Sequence, residues 1–146
     1  MPLSKLLKVF LFVIGSLAAV VVALIFTVVI LRSIPFPIQE LSVTDALLGV
    51  DYSGHTSNAG NVINGFSVRI TNNSSIQVGR ILYRIDIYDE NGKPIDGAVA
   101  KLHGPIPGHS TRKVHEQYIG FDSLPDNGKW SWSGNIVGAY RFYLGW

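Results

Sequence analysis

Three histidines, His103, His109 and His115, recur every six residues, and on one continuous strand that spacing would place all three on a single face as metal ligands. A Gly-Pro-Ile-Pro-Gly turn at 104–108 interrupts them, so they are expected on separate elements as turn and surface residues. His115 and Glu116 are adjacent, and on a strand they point to opposite faces and cannot cooperate as base and orienting acid. Asp86, Asp89, Glu90 and Asp96 gather around one Asn-Gly turn, where carboxylates could hold Ca²⁺. They lack the dense oxygen-ligand spacing of a calcium loop and read as a solvated hairpin tip. The chain has no cysteine, which excludes disulfides, thiolate metal sites and cysteine nucleophiles. It also has no G-x-S-x-G elbow, phosphate loop or dinucleotide fingerprint, so neither catalytic residues nor cofactor nor metal are expected.

Two other groups suit contact better than reaction. Gly15, Ala19 and Ala23 recur every four residues and form one small-residue stripe along a helix, a geometry that lets a second helix approach closely. Near the C-terminus Trp130, Trp132, Tyr140, Phe142, Tyr143 and Trp146 fall within seventeen residues. Tyr140, Phe142, Leu144 and Trp146 would share one face of a core strand closing the domain. Trp130, Trp132, Tyr143 and Trp146 are also candidates for a partner or lipid-interface strip, since Trp and Tyr are enriched in both settings.

The stripe lies in the segment that positions everything else. From Val9 to Leu31 the chain runs 23 residues without a charge. As a helix that is about 34 Å, enough for one tilted crossing of a hydrocarbon core of about 30 Å. The run is longer than a signal-peptide core, its last turns are bulky, and no A-x-A-like site follows, so a retained anchor is expected. Lys5 and Lys8 on one side against Arg32 on the other favour a cytoplasmic N-terminus. No ionisable residue lies inside the run, leaving no candidate for proton relay, ion pathway or haem ligation there. The expected organisation is therefore a cytoplasmic N-terminus at 1–8, a transmembrane helix at 9–31, a Pro-containing linker at 32–40 and one periplasmic β-sandwich domain at 41–146.

Beyond the helix there are nine basic residues against ten acidic ones, with no basic run to neutralise a phosphate backbone, so nucleic acid is excluded as a partner. Ser-Ile-Pro-Phe-Pro-Ile at 33–38 cannot continue a helix and reads as an extended strut. Residues 41–50 fit a strand or a short helix capped by Thr44, and 53–65, rich in Gly, Asn and Ser, reads as a loop. Phe66, Val68 and Ile70 then alternate with Ser67, Arg69 and Thr71, a half-buried strand ending at Asn72-Asn73-Ser74-Ser75. Asn72 and Asn73 both satisfy N-x-S, but in a turn this is read as backbone chemistry and not as glycan attachment. Over 80–88 Ile81, Tyr83, Ile85 and Ile87 share a face, followed by an Asn-Gly turn, and further strands fit 94–102 and 111–118. Short strands at this spacing predict an antiparallel sandwich.

Ile85-Asp86-Ile87-Tyr88-Asp89 resembles the strand end for which the FxLYD family of small β-sandwich domains is named: Tyr88 and Asp89 match, and Ile85 and Ile87 stand for the Phe and Leu. The strand ending in Asn72, the acidic Gly turn Asp89-Glu90-Asn91-Gly92 and the Pro-Gly turn Ile106-Pro107-Gly108-His109-Ser110 are similar as well. The likeness covers about residues 65–118 and implies an immunoglobulin-like module behind one membrane helix, as in bacterial envelope proteins, without a shared catalytic site.

Taken together, these features lead to the expectation of a non-catalytic accessory subunit of a larger membrane complex, respiratory, photosynthetic or transport. It would sit in a bacterial inner membrane, with the lipid bilayer and integral membrane subunits as partners and no small-molecule substrate. The alternative is a free-standing envelope module whose tryptophans stack on glycan rings or dock a protein.

Overall fold

The computed structural model describes residues 3–49, 61–122, 124 and 128–141. Two compact units emerge, Met1–Ile34 and Pro35–Trp146. The first is one helix, α1 (Leu3–Ser33, 31 residues). Its apolar span Ser4–Leu31 has a mean hydropathy of 3.0, and none of it is buried by the rest of the chain. Length and composition are those of a membrane anchor or a signal sequence. Helicity stops before Pro35, which has no N–H to donate and disfavours α geometry at Ile34. The last turn tightens there, with Ile34 N–H reaching the Leu31 carbonyl at 3.4 Å.

Among the described residues the second unit is an antiparallel sandwich of six strands: β1 (Leu41–Leu48), β2 (Asn61–Asn72), β3 (Val78–Asp89), β4 (Pro94–Ile106), β5 (Ser110–Phe121) and β6 (Trp130–Tyr140). One sheet has the order β1-β2-β5, the other β4-β3-β6. The chain crosses between sheets after β2, β4 and β5, while β3 and β4 form a hairpin, which is the immunoglobulin strand order A-B-E facing C′-C-F. Phe66, Val68 and Ile70 of β2 face Ile81, Tyr83, Ile85 and Ile87 of β3, and all seven are buried. The Phe66 and Tyr83 rings lie 4.9 Å apart across the core, and Trp132 meets the edge of Phe66 at 6.1 Å. The alternation read in β2 and β3 is the alternation observed.

One open segment resolves and two differ from expectation. The segment 41–50, which periodicity leaves open, is a strand up to Leu48. Its inward residues are Leu41 and Val43, then Ala46 and Leu48, because a bulge between Thr44 and Leu47, with Asp45 at φ 52°, shifts the alternation by one. That slip is why neither period fits the sequence. Residues 61–65, expected as loop, are strand paired to the far end of β5, where long-range pairing overrides the local Gly and Asn content. The proline segment is only briefly a linker: Phe36 is buried in the domain, its N–H donates to the Ala139 carbonyl at 2.8 Å, and Pro35 bridges Tyr140. A single 3₁₀ turn at Ile38–Glu40 then leads into β1. The expected loop residues 53–60 lie outside the described residues.

The end of the sandwich where the chain enters is tied together by Asn72, which is fully buried. Its side-chain amide donates to the carbonyls of Ile76 at 2.7 Å, Ile106 at 3.2 Å and Pro107 at 3.2 Å. Its Oδ1 accepts from Ser74 N–H at 3.1 Å and Ser74 Oγ at 2.9 Å. One side chain thus joins the β2–β3 turn to the β4–β5 turn. Close approach of those turns requires Gly108, where a Cβ would come within 2.5 Å of the Ser75 carbonyl.

Candidate interaction surfaces

On α1 the residues Gly15, Ala19 and Ala23 form one exposed stripe, and a Cβ added at Gly15 would meet nothing within 4 Å. The flanking surface is uncovered Leu, Val, Ile and Phe. The hydroxyls of Ser16, Thr27 and Ser33 each donate to the carbonyl four residues earlier, at 2.9 Å. Those polar groups are satisfied within the helix, so the charge-free run from Val9 to Leu31 presents an apolar packing surface.

Trp130 and Trp132 lie on the inner side of β6 and pack, half-buried, against the core. For these two the core reading describes their position, and the glycan-stacking reading finds no exposed platform in them. Tyr143 and Trp146, with Phe142 and Leu144, lie outside the described residues. Ala139 and Tyr140 are the last residues of β6, Ala139 buried and Tyr140 half-buried. Sequence reasoning missed β6 as a strand running from Trp130. The signal was present in the alternation Trp130, Trp132, Ile136, interrupted by Gly134 where a Cβ would collide with the Tyr83 ring.

The histidines are not brought together. His103 sits on β4 beside Arg80, His109 occupies the turn at φ 52°, and His115 lies on β5 opposite Ser67 in the other sheet. Glu116 pairs in register with Phe66 and faces away from His115, as the strand period requires.

The acidic hairpin spends its carboxylates locally. Asp89 Oδ1 accepts the N–H groups of Asn91 and Lys93, both at 2.9 Å, and shapes the turn that Gly92 closes at φ 77°. Asp86 takes the Arg84 guanidinium at 2.8 Å, Asp96 accepts from Gly97 and Asp122 N–H, and Glu90 pairs with Lys129 at 3.6 Å. Among the described residues no cluster of three His, Asp or Glu side chains is placed to hold a metal.

Buried within the core, the Tyr83 phenol has its pKa pushed above the usual tyrosine value by desolvation. A cleft of about 290 Å³ opens where the edges of β4 and β5 face each other, lined by Val99, Lys101, His103, Glu116 and Ile119. At the chain-entering end, the Arg80 guanidinium lies 4.3 Å over the Tyr140 ring.

The described surface is marked by the apolar helix with its small-residue stripe. No family model, no curated protein and no solved structure matches this chain.

Proposed function

We propose that this chain is a membrane-anchored accessory subunit of a larger membrane protein complex, without catalysis of its own. Its helix packs among integral membrane subunits, and its sandwich covers them on the periplasmic side of a bacterial inner membrane. The observation that carries the reading is the apolar span Ser4–Leu31, none of it buried, bearing the small stripe at Gly15, Ala19 and Ala23. In lipid, such stripes bring helix backbones together through dispersion contacts, with no polar group needed. Lys5 and Lys8 ahead of the span support a cytoplasmic N-terminus.

The sandwich is further read as an FxLYD-type domain. Support comes from the strand end Tyr88-Asp89, where the tyrosine hydroxyl meets Ser133 Oγ at 3.2 Å and the aspartate organises the following turn. Asn72, the strand-ending asparagine, supports it through the two turns it joins. Gentle detergent extraction followed by size exclusion tests the functional reading. Co-elution with other membrane polypeptides is expected, and a chain that migrates alone as a monomer would refute it.

A further inference from the structure

Charge is segregated along the sandwich. At the end of the sandwich away from Pro35 carboxylates predominate, with Arg84 Nε 2.8 Å from Asp86 and Lys129 Nζ 3.6 Å from Glu90. Asp89, Asp96 and Asp122 add further negative charge around the β3–β4 hairpin and the end of β5. At the end where Pro35 bridges Tyr140 the pattern reverses. Arg80, two residues into β3, Arg112, two residues into β5, and Arg141, just past β6, have no carboxylate partner among the described residues. Glu40 and Asp45 are the carboxylates at this end among the described residues, Asp45 held by Arg69 at 3.0 Å, and Lys113, the register neighbour of Arg69, extends the basic collar.

These guanidiniums are held but not neutralised. Arg80 stacks on Tyr140, Arg112 Nη1 donates to the Pro105 carbonyl at 2.8 Å, and the Nε atoms of Arg80 and Arg141 are buried with no hydrogen-bond acceptor among the described residues. A buried donor left unpaired is destabilising, and guanidinium forks are matched in shape to phosphate oxygens. Connectivity indicates which phosphates. The helix ends at Ser33 and the domain begins at Pro35, so only Ile34 joins them in sequence.

We propose that this end of the sandwich docks on anionic phospholipid headgroups, with Arg80, Arg112 and Arg141 as the phosphate-binding groups and Tyr140 as an interfacial ring. The proposal rests on the reading of α1 as a retained anchor. Each basic residue near an anionic surface strengthens association about fivefold, within a screening length of about 10 Å at 0.1 M salt.

Because the chain has no native cysteine, single spin labels can be placed without background. Full-length chain in nanodiscs would carry a label at Gln77→Cys, in the turn at the basic end, or at Asn91→Cys, in the hairpin at the far end; both positions are exposed. Relaxation by a lipid-bound paramagnet should rise at the first position when phosphatidylglycerol replaces a third of the phosphatidylcholine, fall back in 0.5 M salt, and stay low at the second. The double variant Arg112→Glu/Lys113→Glu, checked for fold by circular dichroism, should lose the lipid dependence. Equal relaxation in both lipids, proximity of the far end, or loss of the effect on adding inorganic phosphate at constant ionic strength would overturn the proposal. Release of the chain by carbonate would instead overturn the anchor reading beneath it, a failure visible before any label is read.

Discussion

Replacing Asn72 with alanine removes a fully buried amide that donates to three carbonyls and accepts from Ser74. Ile106 O is buried, so its lost partner is not replaced by water, whereas the Ile76 and Pro107 contacts are only part-buried and regain some hydration. Two net hydrogen bonds at about 1 kcal/mol each, plus about 1–2 kcal/mol for the orphaned carbonyl, give a loss of about 3–4 kcal/mol. For a domain of this size that lowers Tm by roughly 10 °C or more. Asn72→Asp should cost still more at neutral pH, because a carboxylate would face carbonyl oxygens in place of donors, and part of that loss should return as acid protonates it. The control is Asn73→Ala, which alters an exposed side chain next door. Thermal unfolding followed by near-ultraviolet circular dichroism in detergent reads all three. If Asn72→Ala falls within about 0.5 kcal/mol of Asn73→Ala, the turn-joining role is refuted.

Other consequences follow from the same packing. Gly134→Ala forces a methyl into the Tyr83 ring and should cost about 2–3 kcal/mol, measurable by urea unfolding. Phe66→Ala, at a fully buried position between Tyr83 and Trp132, should cost about 3–5 kcal/mol in the same assay. Tyr83 has a raised folded-state pKa, so its neutral form is favoured by the fold and its contribution is complete below the unfolded tyrosine value of about 10. Stability should therefore fall as pH climbs beyond about 10, and Tyr83→Phe should flatten that alkaline slope; an unchanged slope would contradict it. Asp89→Ala unties the hairpin turn and should cost about 1–2 kcal/mol without changing the fold, as circular dichroism would register.

Much of the architecture was legible because it rests on periodicity. The charge-free run specified the helix, and strict alternation at Phe66–Ile70 and Ile81–Ile87 specified the two central strands. What escaped was structure made by distant pairing. The bulge at Asp45 moves the inward face of β1 from odd to even residues, so neither template fits it. Residues 61–65 look like loop because Asn and Gly dominate, and only the length of β5 reveals them as strand. The contact surfaces divide in the same way. The stripe at Gly15, Ala19 and Ala23 follows from spacing alone, whereas the unpaired arginines come together only through strand order, since Arg80, Arg112 and Arg141 are far apart in the chain.

The central claim, that α1 packs against other membrane polypeptides through its small-residue stripe, is tested most directly by photocrosslinking in intact membranes. A photoreactive amino acid at Ala19 reports from the stripe, and one at Val21 reports from nearly the opposite side of the helix. Crosslinks to a defined membrane polypeptide from Ala19, and much weaker ones from Val21, are the predicted result. Lipid-only adducts from both positions, or equal protein adducts from both, would contradict the account.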